Sequence, residues 1–390
     1  MSDPTTVDIV IAGAGVLGCL IAAEIAARRP ELDIMMVDRG TIGGGATRHS
    51  AGLDIPRGHS ARVRRMAAYG RRYYADERRV LPMTVIAPAA AESGLRTRYL
   101  DGATLRAVPA IRSDLVTCPG GYRAWHGTCA HAEVDAVARG IAREIRSRVR
   151  IHEGVRVLAV EPRPAGMLLR LGTGRDVLAG RVVLAPGPWI GAPAWQEFLA
   201  PFDIRVKRVV ALHIDRVPAA EDPAVIFDAE DAFLLPLSER GHWLFSYTSD
   251  IWDVMPDDPP TGVTAADLTA GQRILAKYAP GLIPHTVSGR AFCDAYSPDR
   301  EPVVRCSPRD RRVVFAGAAN GSGYRLGPAI AAETADLLGL HAETADPPAE
   351  AADLPAETCN LFGLSADVAA EAADPLGLPA EPAAERECPA

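Results

Sequence analysis

VDIVIAGAGVLGCLIAAEIAARRPELDIMMVDRG, residues 7–40, decides how this chain folds. It opens with a continuous apolar run of strand length, VDIVIA (7–12), and passes at once into GAGVLG (13–18). LIAAEIAARR (20–29) is a good helix former in which Leu20, Ala23 and Ala27 fall on one face. Pro30 follows it, and IMMV (34–37) is a second short strand that ends at Asp38. Strand, glycine turn, helix and strand ending in an acid make one βαβ unit. Gly13 permits the tight turn, Gly15 lets a pyrophosphate approach the backbone, and Gly18 lets the helix pack close to the strand. The helix N-terminus, with Ala14, Val16 and Leu17, presents N–H groups and a positive dipole end to phosphates. Asp38, 20 residues beyond Gly18, can accept hydrogen bonds from ribose hydroxyls. The unit therefore binds a dinucleotide, but alone it does not separate FAD from NAD.

Outward from this unit, 41–60 reads as a glycine-rich loop and 61–79 as a basic helix. Its charges form either a solvated face or a docking surface for the acidic C-terminal tail or an anionic partner. Residues 81–130 are mixed and irregular, and 133–149 is helical. Residues 151–160, 167–171 and 181–185 read as strands, the last closed by PGPW (186–189). IRVKRVVALHI (204–214), AFLLPL (232–237) and HWLFSY (242–247) suggest an antiparallel sheet, with a helix over 264–277 packed on it. VVFA (313–316) is a further buried strand, followed by glycines and by a helix over 328–338 with Pro328 near its start.

The chain has 390 residues, 48% of them hydrophobic and 23% charged, enough apolar material for a sizeable core. Its net charge of −7 is uneven: 341–390 holds eleven acidic residues and one basic residue, Arg386, which leaves the body near neutral. GLHAE, GLSAD and GLPAE recur around that tail, which reads as low-complexity and disordered. Without a strongly basic domain, nucleic acid is not an expected partner. The seven cysteines are odd in number and lack C-x-x-C spacing, which argues against a disulfide framework and against a metal site. The first apolar run is too short for a signal or membrane segment, so a cytoplasmic protein is expected.

Four stretches in order resemble the FAD-dependent D-amino-acid oxidase superfamily, in particular its glycine oxidase and sarcosine oxidase branch. They are GAGVLG with Asp38 and Arg39; GGGATRHSAGL (43–53); VVLAPGPW (182–189); and VVFAGAANGSGYRLGPAIA (313–331). The resemblance implies an α/β fold: a Rossmann-type FAD-binding domain interleaved with a mainly antiparallel substrate domain. The FAD-binding domain would take 1–80, 131–200 and 300–340; the substrate domain would take 81–130 and 201–299. It implies that the loop carrying Thr47, Arg48, His49, Ser50 and Ala51 runs past the flavin. Pro186, Gly187 and Trp189 would also line the cofactor site, and the backbone of Val157 would meet the adenine. Gly321, Ser322, Gly323 and Tyr324 would cover the other side of the flavin.

The same resemblance makes His49 a candidate for a covalent bond to the flavin, against a histidine that merely touches it. Cys293 falls one residue away from the attachment cysteine of sarcosine oxidases, which points to a buried structural thiol. Arg325, in GSGYR, matches a basic residue that pairs with substrate carboxylate; the other reading is an interdomain salt bridge. Two departures stand out. Asp294 occupies the place of a carboxylate-binding Arg, as a ligand for an amine or hydroxyl or as a turn acid; Leu244 stands where sarcosine oxidases carry a Lys that assists oxygen reduction. Amine oxidation by hydride transfer to flavin N5 needs little acid–base help from protein. His126, His131, His213, His242 and His285 are accordingly read as structural or exposed.

The expected activity is oxidation of a C–N bond in a small amine or amino acid, with dioxygen or another electron acceptor. An FAD-dependent 2-hydroxy-acid dehydrogenase is the alternative on the same fold, and a non-catalytic flavin-binding subunit is a third reading. A homo-oligomer or a partner for the acidic tail is left open.

Overall fold

The computed structural model describes residues 3–75, 78–100, 105–109, 111, 115–257 and 262–341. The tail reading for 341–390 therefore falls, from 342 on, outside the described residues.

The opening stretch folds as read. Its strand, Thr5–Ala12, lies between Ile34–Val37 and Asp176–Leu184, parallel to both. Val149–His152 adds in parallel outside Ile34–Val37, and Val313–Gly317 adds in parallel beside Asp176–Leu184, with Val303–Cys306 antiparallel at that edge. An unbroken apolar run suits such a sheet because both faces are covered. Ile9 and Ile11 turn to a helical layer, while Val10 and Ala12 turn to a layer that includes the meander Val157–Arg163 and Gly166–Leu171.

The first helix runs Val16–Arg28, four residues earlier than its apolar pattern suggested. It buries Cys19, Leu20, Ile21, Ala22, Ala23 and Ile25 nearly all round, whereas Ala27 is exposed. A helix apolar on all sides belongs in the interior. This one is flanked by Val134–Ile145 and Gly323–Leu337.

The last helix departs most from expectation. It begins at Gly323, inside the glycine loop, and Pro328 lies within it. A proline in a helix leaves the carbonyl four residues earlier without its donor. Here that carbonyl is Tyr324 O, and the Tyr74 hydroxyl donates to it at 3.2 Å. The basic segment is helical only over Ala61–Tyr73 and is amphipathic, with Val63, Met66, Ala67 and Gly70 buried. Its charges are not all solvated: Arg62 pairs with Glu301 (3.2 Å) and Glu333 (2.5 Å).

The second sheet runs in the order Thr286–Tyr296, Arg205–Ile214, His242–Trp252, Ala232–Leu237, Ala224–Phe227, Arg79–Pro88, Tyr122–His131, Leu53–Asp54. Every pairing along it is antiparallel except that of Ala224–Phe227 with Arg79–Pro88. Residues 81–130, read as irregular, thus supply most of two ten-residue strands paired along their full length. Pro82 and Pro88 obscured the first of them. Both lie outside Met83–Ile86, the part paired on both sides, so neither missing N–H interrupts the doubly bonded stretch. The loop at 41–60 likewise holds a helical turn, Gly45–His49, and the strand Leu53–Asp54, so the chain visits the second sheet before residue 80.

The helix Ala265–Tyr278 packs on this sheet through Leu275 and Tyr278. A reciprocal cap between Thr264 and Asp267 starts it, and Asp267 also pairs with buried Arg208 at 2.7 Å. Among the described residues, no helix is long and apolar enough to cross a membrane.

Candidate active site

A cavity of about 900 Å³ draws its walls from both sheets. That is near the top of the ~300–1,000 Å³ range of ligand pockets. Its first end is the βαβ turn. Gly13 has φ +115°, and a Cβ there would lie 2.2 Å from the Ala185 carbonyl oxygen. A Cβ on Gly18 would lie 1.9 Å from the Gly13 carbonyl oxygen, so both positions are closed to side chains. Gly15 opens on the cavity, with the Thr47 hydroxyl 3.0 Å from where its Cβ would be.

Val16 N–H donates to Thr47 Oγ1 at 3.0 Å. Asp38 is aimed by two backbone donors: Ala14 N–H on Oδ2 (2.6 Å) and Gly40 N–H on Oδ1 (2.7 Å). Leu17 and Asp38 line the cavity, while buried Ala14 sits behind its wall. Two helices, Val16–Arg28 and Gly323–Leu337, begin on the cavity; neither N-cap residue, Gly15 or Ser322, places a side chain on its helix's N–H groups, Thr47 takes only Val16 N–H, and neither first turn holds an acid. Two open positive ends on one cavity suit a long anionic ligand, as a dinucleotide is.

Val157, Pro186 and Gly187 line the flank of this end. At its rim Asp257, from beyond the His242–Trp252 strand, accepts from Trp189 Nε1 (2.6 Å) and pairs with Arg39 (2.6 Å), whose guanidinium lies 5.1 Å from the Trp189 ring centre. Thr47, Ser50 and Ala51 also face the cavity, but Arg48 is exposed. His49 sits behind the wall, its ring 5.6 Å from that of Phe292, which does line it. Burial, with Arg290 and Arg48 nearby, lowers the His49 pKa and keeps the imidazole neutral.

At the far end the structure gathers residues that sequence reasoning passed over: Arg57, Asp231, Thr248 and Arg300. Asp231 accepts from Thr248 Oγ1 (3.0 Å) and pairs with Arg57 (3.1 Å). Burial opposes its ionisation, but these partners outweigh burial and hold the carboxyl below its ordinary range. Arg57 also reaches Asp228 at 3.4 Å. Among the described residues, six other than glycine have positive φ, and five of them line this cavity: Asp231 (46°), Asp253 (57°), Arg300 (62°), Ala318 (50°) and Asn320 (53°). Backbone strain of this kind gathers at functional sites. Sequence offered one weak signal for it, acids and an arginine at turn positions, in EDAF and SPDR.

Gly321, Ser322, Gly323, Tyr324 and Arg325 are all on the wall. Tyr324 stacks on Tyr74 with ring centres 4.5 Å apart. Arg325 is already engaged: Nη1 donates to the Arg57 and Ile55 carbonyls and Nη2 to Ser322 Oγ at 3.0 Å. Burial pushes its pKa down to about 10, so it stays charged at neutral pH. Asp294 also faces the cavity, with both carboxylate oxygens accepting backbone N–H groups, from Ala295 (2.8 Å) and Gly321 (3.0 Å). Cys293, beside it, is buried, as is Leu244 in the core of the second sheet.

The family described as FAD dependent oxidoreductase (DAO) matches residues 8–337. Among solved structures, the fold is similar to glycine oxidase from Geobacillus kaustophilus (TM-score 0.69, 16% identity, 86% of this chain and 95% of that one). It is also similar to FAD-bound L-alpha-glycerophosphate oxidase from Mycoplasma pneumoniae (TM-score 0.72, 16% identity, 86% and 95%). A third is fructosyl amine:oxygen oxidoreductase (Amadoriase I) from Aspergillus fumigatus (TM-score 0.69, 17% identity, 87% and 88%). At such identities the likeness is one of fold. No curated protein matches the chain. With the family pattern running through 8–337 and a strand–glycine turn–helix unit at its start, this chain belongs to the DAO family of FAD-dependent oxidoreductases: it is an enzyme, and FAD is its cofactor.

Proposed function

We propose that the enzyme oxidises a C–N bond of a small amine or amino acid. The observation that carries this reading is the mixed charge of the cavity's far end, where a fixed carboxylate, Asp231, shares the wall with Arg57, Arg300 and Arg325. Both signs within one pocket suit a ligand that itself carries both. In this reading the Gly13–Gly18 turn and its helix hold the diphosphate, Asp38 the ribose, and the 321–324 turn the flavin ring. Bound FAD supplies a two-electron acceptor for the substrate's hydride. The chain's own work is to orient the donor carbon and exclude water. Arg300 takes the substrate's anionic group. Asp231 attracts the substrate's cationic group on binding, and the reacting amine gives up its proton to water before hydride leaves the adjoining carbon, because the ammonium form is unreactive.

Anaerobic mixing with a panel of amines, amino acids and 2-hydroxy acids tests this. Bleaching of the flavin band by an amine, with release of ammonia or a shorter amine, is expected. Bleaching by 2-hydroxy acids alone would transfer the enzyme to C–O oxidation. Peroxide formation on admitting air then identifies dioxygen as the acceptor. A covalent link at His49 requires its ring to reach the cavity behind whose wall it lies. Acid precipitation decides it, since a yellow supernatant means the link is absent.

A further inference from the structure

Between the two ends of the cavity, the strand Thr286–Tyr296 of the second sheet meets the turn that leaves the first sheet at Gly317. The seam is closed almost entirely by backbone and by Asn320. Asn320 N–H donates to the Ala295 carbonyl (3.3 Å), and Ser297 N–H donates to Asn320 Oδ1 (3.1 Å). Asn320 Nδ2 donates to Ser297 Oγ (3.2 Å) and to the Ala318 carbonyl (2.8 Å). Asp294 completes the seam through Gly321 N–H. Three of the four residues 318–321 are left-handed: Ala318, Asn320 and Gly321 (φ 77°). A turn so strained persists only when its surroundings hold it.

Those surroundings are sparse in charge. The turn AANGSG contains no titratable side chain. On its own strand Asp294 has Cys293 and Tyr296 as neighbours, and Arg300 follows in the next turn. From the adjacent strand Lys207 stands opposite Asp294 in register, but its ammonium lies over the Trp252 and Tyr296 rings, 4.4 and 5.7 Å from their centres. Asp231 faces the same region from the far end of the cavity. The donors on the Asp294 carboxylate are thus both amides, Ala295 and Gly321. Burial raises its pKa to about 6, and the two amides offset that only in part.

We propose that Asp294 is a positioning residue: its carboxylate clasps the 318–321 turn onto the second sheet, and protonation of that carboxylate slackens the clasp beside the bound cofactor. The proposal rests on the reading that this turn covers the flavin ring. It removes Asp294 from the substrate's ligands and gives the active site a proton-sensitive wall.

The test compares the full-length wild type with Asp294→Asn and Asp294→Glu between pH 5 and 8. In the FAD-loaded wild type, the shape of the oxidised-flavin band should change in a single-proton transition between pH 5 and 8, above the ordinary carboxylate range. In Asp294→Asn it should be independent of pH and resemble the acid form of the wild type. Asp294→Glu should restore a transition at a shifted midpoint. A wild-type band that does not change, or an unaltered transition in Asp294→Asn, overturns the proposal.

Melting without FAD gives an independent reading. Asp294 is half-buried on the cavity wall, and its raised pKa means that the protonated form favours folding, an advantage full below the unfolded carboxyl pKa and lost as pH rises through about 6. The advantage of Asp294→Asn over the wild type should therefore be smaller at pH 5 than at pH 8, where it should reach about 2–4 °C in melting temperature. Parallel curves would mean that folding does not shift the Asp294 proton equilibrium and would overturn the proton-sensitive wall whether or not the protein takes up FAD; failure to take up FAD would count separately against the proposed placement of the cofactor.

Discussion

A methyl group at position 18 has no room, because the Gly13 carbonyl oxygen already stands 1.9 Å from where it would be. Gly18→Ala must push the first helix off its strand, and overpacking of this kind costs about 1–3 kcal/mol. The variant should melt lower and retain less flavin, read as the ratio of visible to ultraviolet absorbance; unchanged retention would separate the helix position from cofactor binding. At the other end of the cavity Arg300 carries the opposite expectation. Its removal leaves the core intact but withdraws a charged grip worth about 1.5–3 kcal/mol. Arg300→Met should raise KM for an anionic substrate roughly 10–100-fold while kcat changes little. If kcat falls instead, Arg300 acts on the reacting geometry and not on binding.

Elements explain why the two ends of the site were unequally readable. The βαβ unit is local: strand, turn, helix and acid follow one another within 7–40, and each residue type has a backbone reason to be there. The far end is assembled from Arg57, Asp231, Thr248 and Arg300, which only pairing across the second sheet brings together. The last helix was misplaced because Pro328 signals a start, and the compensation for it, the Tyr74 hydroxyl, lies 250 residues away in sequence. Tyr74→Phe should therefore cost about 1–3 kcal/mol in urea unfolding, the penalty for a buried carbonyl left without a donor. Equal stability would mean that another group replaces it. The helix Ala265–Tyr278 offers a second check. Burial would raise the Asp267 carboxyl, but Arg208 and Thr264 outweigh it and hold it below its ordinary value. Its contribution is thus present above the unfolded carboxyl pKa and fades as pH falls through the lower folded value. Asp267→Ala, which removes the carboxylate paired with buried Arg208, should cost about 3–5 kcal/mol at pH 7 and show a shallower loss of stability in acid.

At the scale of the molecule, the elements of the compact unit Met1–His341 are complete at Leu337, where the last helix ends. Truncation after residue 341 should leave flavin content and melting temperature within error of the full chain; a large loss of either would assign the remaining residues to the fold. The compact unit is also assembled from distant pieces. Val313–Gly317 pairs with Asp176–Leu184, and Gly323–Leu337 packs on the first helix. A ribosome building this chain N-terminus first would release the whole phosphate cradle more than 270 residues before the opposite wall of the cavity. On the proposed placement of FAD both walls are needed to hold it, so arrest of synthesis before residue 325 is expected to yield a colourless product.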